Sequence, residues 1–285
     1  MSEERARASF RDDSEAKAFL RELGRVAEGP LPLGSAALAL AALDRPRVDL
    51  ERYHHHLAAL AREVGDEAAG ATAIDRRVAA LNTVILGRYG YEGDTLTYED
   101  LQNANLMRVI DRRKGLPVAL GILYIHAARA QGWDMAGLAF PGHFLVRLQD
   151  DGARVILDPF NGGKTREAAE LRDLLKAITG NEAELAPSHY APVSDREVLL
   201  RLQNNLKLRL LESRQMEKAL RVTEDMMLFA PDHVGLVREA GLINAELGNL
   251  RAAIAAFERF LALAEDDAER HRTAALLQKL KARLQ

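Results

Sequence analysis

The spacing of apolar residues predicts helices over most of the chain, with one mixed segment between them. In residues 15–86 apolar side chains recur at helical intervals, and turn residues divide the run into short helices. One helix is predicted from about residue 49 through residue 61, and Leu57, Leu60 and Val64 give it one apolar face. Residues 1–95 are therefore predicted to form the helical N-terminal part of a first domain.

Residues 96–186 combine helical and extended patterns, which indicates an α+β core. The predicted elements are helices at 103–112, 117–131 and 166–178 and extended runs at 137–148 and 154–160. Asp150-Asp-Gly152 separates the two extended runs and is typical of a β-hairpin. The predicted fold class is α+β, with a helix packed on a small antiparallel sheet and followed by an all-α array.

Residues 197–285 carry an internal repeat. Ala219 and Ala253 are 34 residues apart, as are Lys207 and Gly241, and the second unit has the spacing of a tetratricopeptide helical hairpin. The first repeat departs from this spacing, because Lys207 stands where glycine is expected. The predicted helices lie near residues 197–212, 216–230, 233–247, 250–264 and 269–284. A generic helical bundle is the alternative, and residues 187–196, with two prolines and two serines, are predicted to be a linker.

Composition removes several classes of function. The chain has no cysteine, which excludes disulfides, a thiolate nucleophile and cysteine-ligated zinc. Its formal net charge of −3 gives no sign of a nucleic-acid partner. Residues 1–13 are charged and read as neither a signal peptide nor an anchor, and the apolar run at 36–43 is too short to span a bilayer. The prediction is a soluble, cytoplasmic protein.

The middle of the chain has the order of a papain-like or transglutaminase-like catalytic triad. A helix begins at Pro117, His143 lies in the first extended run, and Asp158 lies in the second. In such triads a helix N-terminus stabilises a cysteine thiolate, the histidine acts as the base and the acid orients its ring. A two-residue hairpin loop would place Asp158 opposite Leu145 and diagonal to His143, and a four-residue loop would place it directly opposite His143.

Three stretches resemble a known family closely: Leu106-Met-Arg-Val-Ile-Asp-Arg-Arg-Lys-Gly-Leu-Pro117, Pro141-Gly-His-Phe-Leu-Val-Arg147 and Asp158-Pro-Phe-Asn-Gly-Gly163. They look like the bacterial SirB-type family, which joins a transglutaminase-like domain to tetratricopeptide repeats. The resemblance covers the chain from about residue 30 to the end. It implies a regulatory or interaction protein whose biochemical activity is poorly defined.

The nucleophile of the triad is missing. A count of fifteen residues back from Gly132, by analogy with transglutaminase-like helices, places the nucleophile position at Pro117. Many family members carry a serine two residues later, where this chain has Ala119. The chain has no serine between Ser35 and Ser188. The triad positions Pro117, His143 and Asp158 are therefore interpreted as vestigial.

Around them, a candidate cleft is predicted. Its members are Asn103, Arg112, Arg113, Gly115, Tyr124, Gly142 and Phe160. Alternatives remain for the charged members: His143 could be a structural histidine, Asp158 could cap a turn, and Arg112 and Arg113 could form a solvated helix end.

No metal site or cofactor is predicted. His54, His55 and His56 point about 100° apart on a helix and cannot converge on one ion, so they are interpreted as a surface feature. The glycine loop at 160–165 has Asp158 where a phosphate-binding motif needs glycine. The first functional hypothesis is a non-catalytic protein that binds a protein or peptide through its repeats, without nucleic acid or membrane. The alternative is a hydrolase of amide or ester bonds in which His143 and Asp158 activate water.

Overall fold

The structure, a computed structural model, describes residue 10 and residues 12–27 and 29–284. These residues form twelve α-helices and six short strands. The helices are α1 (Asp13–Gly24), α2 (Leu33–Asp44), α3 (Glu51–Ala68), α4 (Ile74–Asn82), α5 (Leu106–Arg112), α6 (Pro117–Arg129), α7 (Ala168–Thr179), α8 (Asp195–Glu212), α9 (Met216–Phe229), α10 (Val234–Glu246), α11 (Leu250–Leu263) and α12 (Asp267–Leu284). The strands are β1 (Glu92–Gly93), β2 (Lys114–Gly115), β3 (Asp134–Gly137), β4 (Val146–Asp150), β5 (Ala153–Asp158) and β6 (Lys164–Thr165). Within this described part, no helix is long and apolar enough to cross a membrane.

Contacts divide the chain into two units. The first unit ends at Leu202 and the second begins at Gln203, so the boundary falls inside α8. The short segment Leu20–Ala27 is grouped with the second unit although it precedes the first unit's core in sequence. The second unit is therefore built from two stretches that are far apart along the chain.

The helical part of the first unit follows the apolar pattern, with one correction. Helix α3 was predicted to stop near residue 61, but it continues to Ala68 and ends where Ala69 adopts a left-handed conformation. Gly65 lies inside the helix, where the chain is closely packed: a Cβ on it would lie 2.4 Å from Oε1 of Gln131. Helix α4 continues without interruption into a π-helical turn at Thr83–Arg88.

A four-stranded antiparallel sheet with the order β3-β4-β5-β6 forms the centre of the first unit. Asp150 pairs with Ala153, so the hairpin closes on the two residues Asp151 and Gly152. Both have positive φ, 41° and 85°, as the two central residues of a type I′ turn require. The two-residue loop, one of the two registers that the sequence allowed, is confirmed.

The predicted extended run at 137–148 is wrong in its middle. Strand β3 ends at Gly137 and β4 begins at Val146, and the residues between them form a loop. The Pro141-Gly142 turn takes the chain out of the sheet, and Gly142 has a φ of 65° that favours glycine. His143 therefore lies in a loop and not on a strand.

Helices cover both faces of this sheet. On one face, Gly121 of α6 lies against the ring of Phe144, where a Cβ would be 2.4 Å from a ring carbon. On the other face, Leu171 and Leu175 of α7 pack with Leu138, Phe140 and Leu145. Because neighbouring residues of an extended chain point to opposite faces, Leu145 faces α7 and Val146 faces α6. This α+β architecture confirms the predicted fold class.

Residues 187–196, treated above as a linker, are hydrogen bonded to the first unit. The backbone N–H of Ala139 donates to the carbonyl of Ala191, and the N–H of Val193 donates to the carbonyl of Gly137. Farther on, the buried carboxylate of Asp195 accepts from the Leu31 N–H at 2.7 Å and from Arg129 at 2.5 Å.

The second unit is a helical array with the predicted elements. Helices α8 to α12 begin and end within a few residues of the expected bounds. Gly241 in α10 lies against the ring of Phe257 in α11, and Ala253 is fully buried in the same layer. At the position equivalent to Gly241, Lys207 is buried and forms an ion pair with Glu239. Gly24 lies beside α9, where a Cβ would be 2.4 Å from the carbonyl oxygen of Leu228.

Candidate functional site

His143 and Asp158 form a hydrogen-bonded pair. Asp158 is the last residue of β5 and is fully buried, and His143 reaches it from the loop that precedes β4. The distance from Nε2 of His143 to Oδ1 of Asp158 is 2.9 Å. Extension of the hairpin register by one pair places Leu145 opposite Asp158. The geometry thus brings the two residues together, although His143 does so from a loop.

The carboxylate of Asp158 is bonded on both of its oxygens. Besides His143, Oδ1 accepts from the backbone N–H of Asn161, and Oδ2 accepts from the Asn161 side chain at 2.8 Å and from Nε and Nη2 of Arg166 at 3.2 and 2.8 Å. Burial opposes ionisation of Asp158, but the hydrogen bonds from His143, Asn161 and Arg166 lower its pKa to about 2. Asp158 is therefore an ionised anchor for three segments of the chain.

The ring of His143 is enclosed but keeps one nitrogen free. Its side chain is 11% exposed, and no described residue forms a hydrogen bond with Nδ1. Arg201 fixes the backbone of this loop, because its guanidinium donates to the carbonyls of Phe140 and His143 at 3.1 and 2.7 Å. Burial lowers the pKa of Arg201. The imidazole is thus held by Asp158 at Nε2, while Nδ1 has no hydrogen-bond partner among the described residues.

Phe160 connects this pair with the segment that leads into α6. Its ring is perpendicular to that of His143 at 6.1 Å between centroids and to that of Tyr98 at 5.7 Å. It also covers Gly93, where a Cβ would lie 2.6 Å from a ring carbon. Gly93 pairs in turn with Gly115, two residues before Pro117. The Phe160 ring therefore contacts both the imidazole of His143 and the strand that pairs with the segment before α6.

The first turn of α6 offers no side chain that could attack a substrate. Pro117 is its first residue and is buried, as suits a residue without an N–H at that position. Gly121 and Tyr124 follow at i+4 and i+7 and share its face of the helix. The Tyr124 hydroxyl donates to Oδ1 of Asn82 at 2.8 Å, and its pKa is raised by burial and by the charge of Asp158.

The rest of the predicted cleft is not assembled around His143. Arg112 forms an ion pair with Asp94 at 2.7 Å and donates to Oδ1 of Asn103 at 2.8 Å, so the expected solvated helix end is wrong there. The pKa of Asp94 is lowered, chiefly by its hydrogen bonds to Thr97 and also by Arg112. These residues form a separate cluster that holds the 94–97 turn. Gly142 supplies the turn before His143, where a Cβ would lie 2.4 Å from the side chain of Ile178.

Comparison with known proteins agrees with this arrangement. The family model of the transglutaminase-like superfamily matches residues 51–204, and a tetratricopeptide repeat model matches residues 206–278. A UPF0162 protein of Xylella fastidiosa (strain Temecula1) is 31% identical over 247 residues, which are 85% of this chain and 87% of that protein. The protein SirB1 of Salmonella typhimurium is 29% identical and covers 68% of this chain and 72% of its own length.

The chain belongs to the SirB-type family. A UPF0162 protein of Vibrio cholerae is 32% identical over 81% of this chain and 86% of its own length. Among solved structures, menin covers 93% of this chain and 74% of its own chain with 12% identity and a TM-score of 0.43, a likeness that does not bear on function.

In this SirB-type protein the histidine triplet is not simply a surface feature. His55 is exposed as expected, but His54 packs on Phe10 with a ring distance of 4.8 Å. His56 is half-buried, with Nε2 at 2.7 Å from the Tyr91 hydroxyl and 2.9 Å from Arg113. Burial and the charge of Arg113 lower the pKa of His56 to about 4. In the described ranges, no three histidine, aspartate or glutamate side chains are grouped as metal ligands would be.

Sequence reasoning missed the residues that support the pair. Asn161 and Arg166 bind Asp158, and Arg201 binds the His143 loop. Asn161 lies within the Asp158-Pro-Phe-Asn turn, where an asparagine side chain commonly bonds back to the turn, and this was a usable signal. Arg201 is 58 residues away from His143, and no local pattern could have indicated its role.

Proposed function

We propose that this protein is a non-catalytic regulatory or scaffolding protein, with a transglutaminase-like domain that lacks its nucleophile and a repeat domain that binds a protein partner. The observation that carries the proposal is the first turn of α6. Pro117 stands there in place of a nucleophile, and the whole chain contains no cysteine that could substitute for it. A histidine–carboxylate pair without an attacking atom cannot form a covalent intermediate.

The surroundings of the pair support a structural role. Five hydrogen bonds to Asp158 tie together the end of β5, the turn at residues 161–163 and Arg166. Removing a member of such a buried charged network is costly, because the remaining charges lose their partners. On this proposal the pair stabilises the loop and the hairpin and carries out no chemistry.

The repeats supply the binding surface. Leu208 in α8 and Leu242 in α10 are 34 residues apart and occupy equivalent positions of successive repeats. They are 54% and 37% exposed, so both present an apolar side chain to solvent. Tetratricopeptide repeats generally mediate protein–protein interactions. A protein or peptide segment with apolar residues fits this surface, and the net charge of −3 favours such a partner over a nucleic acid. We place this interaction in the cytoplasm.

The test is affinity capture with matched variants. The wild-type protein, His143→Ala, the double variant Leu208→Glu/Leu242→Glu and the control Leu263→Glu are used as baits in a lysate of the source organism. Leu263 is 40% exposed on α11 and matches the others in residue type and exposure. A partner that is retained by His143→Ala and Leu263→Glu but lost by the double variant supports the proposal. Equal capture by all four baits contradicts the proposed surface.

A hydrolase is the second candidate, and the free Nδ1 of His143 is what favours it. With Nε2 bonded to Asp158, Nδ1 could accept a proton from a water molecule. Wild type and His143→Ala are compared for hydrolysis of activated esters and peptide amides. We expect equal background rates, and a wild-type rate that His143→Ala abolishes would establish the hydrolase instead.

A further inference from the structure

A cavity of about 370 Å³, lined in part by Arg166, lies within the first unit. Strand β5, the beginning of α7 and the segment around Tyr190 enclose it. Part of its lining is apolar, since Ile156, Leu171 and Leu185 contribute to it and Leu171 is only 3% exposed. A volume of this size is within the range of small-molecule sites.

The rim of the cavity is rich in guanidinium groups. Arg154, Arg166 and Arg172 line it, against the two carboxylates of Asp75 and Glu167. The Glu167 side chain is occupied as the N-cap of α7. Within the described part of the chain, Arg154 and Arg172 have no carboxylate within 4.0 Å, although Arg154 lies over the ring of Tyr190 at 5.6 Å. Two exposed cations at the rim of the cavity thus have no carboxylate partner among the described residues.

Arg166 belongs to both the cavity and the pair. Its Nε and Nη2 atoms bind Asp158, and Nη1 lies 3.7 Å from the half-exposed Glu170. A guanidinium has five N–H donors in a planar arrangement, so the edge formed by Nη1 and Nη2 can bind a second anion while the other edge holds Asp158. An anion in the cavity would therefore contact the residue that fixes Asp158.

We propose that this cavity binds a small organic anion with an apolar or aromatic body, whose carboxylate or phosphate group lies among Arg154, Arg166 and Arg172. The apolar body rests on Ile156 and Leu171. Because Arg166 is shared, occupancy changes the hydrogen bonding of Asp158 and, through it, the environment of His143. This ligand site is separate from the repeat surface and stands whether or not that surface binds a partner.

The test uses the full-length protein and phenyl phosphate as the probe, with inorganic phosphate and phenol as controls. We expect calorimetric titration to give saturable binding of phenyl phosphate with a Kd of about 1 mM or below, and weaker binding of both controls. In the variant Arg154→Gln/Arg172→Gln, which leaves the bonds to Asp158 intact, affinity should fall at least about tenfold. The exposed Arg251→Gln in the second unit is the matched control and should bind as the wild type does. Far-ultraviolet circular dichroism verifies that each variant is folded.

The effect of ligand binding on His143 is measured separately. The imidazole nitrogen signals of His143, assigned by comparison with His143→Ala, should shift when phenyl phosphate saturates the protein. Unchanged signals at saturation would refute the link through Arg166. Equal affinity of wild type and Arg154→Gln/Arg172→Gln, or phenol binding as tightly as phenyl phosphate, would refute the anion site itself, as would the lack of saturable binding.

Discussion

Replacement of Asp158 by asparagine should destabilise the first unit strongly at neutral pH. A carboxyl group whose pKa falls from the ordinary value of about 3.9 to about 2 contributes on the order of 2.5 kcal/mol to the free energy of unfolding. Asp158→Asn removes this contribution and also leaves the guanidinium of Arg166 with only the half-exposed Glu170 as an anionic partner. The total expected loss at pH 7 is therefore about 3–5 kcal/mol, as for other buried pairs that lose one member.

The pH dependence has a definite sign. Because the folded-state pKa of Asp158 is depressed, its contribution is complete above pH ~5 and is lost as the pH falls toward 2, with about half gone at pH 3. The difference in free energy of unfolding between wild type and Asp158→Asn should therefore shrink by about 1 kcal/mol between pH 7 and pH 3. The variant itself has no carboxyl group at this position to titrate.

Urea unfolding monitored by tryptophan fluorescence can measure this difference. The chain has a single tryptophan, Trp133, and it lies in the first unit, so the signal reports on that unit. Asp150→Asn is the control in the same hairpin, because Asp150 forms an ion pair with Arg77 at 3.0 Å but is 32% exposed, and its loss should cost at most about 1 kcal/mol. A loss below about 1 kcal/mol for Asp158→Asn, or an identical difference from wild type at pH 7 and pH 3, would refute the reasoning.

Three further predictions concern other parts of the chain. Ala253→Leu should overpack the fully buried contact between α10 and α11 and reduce unfolding free energy by about 1–3 kcal/mol, and an unchanged melting temperature would contradict this. Since His56 has a folded pKa of about 4, wild type should lose stability as the pH falls from about 6.5 to 4. His56→Gln should lose less over the same range in urea unfolding, and an equal decline would count against the assignment. Pro117→Cys should give a thiolate, followed by its ultraviolet absorbance, with a pKa below about 8.5 that rises when His143→Ala is added. Titration near 8.5 in both variants would show that position 117 does not face His143.

Local patterns were sufficient where neighbouring residues decide the conformation. The 34-residue spacing of Ala219 and Ala253 indicated the repeat helices, because each helical pair must bury small residues at its crossing. The sequence Asp150-Asp-Gly152 indicated the hairpin, because Asp151 and Gly152, the two central residues of the turn, tolerate positive φ. Once this hairpin is predicted, it follows that Asp158 and the loop of His143 lie close together.

Contacts between distant residues were not predictable in this way. Arg201 bonds to the carbonyl of His143 across 58 residues, and a surface arginine on an amphipathic helix gives the same pattern. The interpretation of Arg112 as solvated failed because its partner, Asp94, lies in a turn whose path no periodicity describes. His56 was misassigned for the same reason, since Tyr91 and Arg113 reach it from other elements.

The discontinuous second unit has a consequence for how the chain is made. Leu20–Ala27 leaves the ribosome early, but the α9 backbone against which Gly24 packs is synthesised about two hundred residues later. Residues 29–202 have the opportunity to fold during this interval, whereas the first segment of the array has no partner until α9 has been synthesised. A fragment that starts at Gln203 would lack that segment, and its hydrogen exchange should be fastest in α9, at the surface that Gly24 otherwise covers.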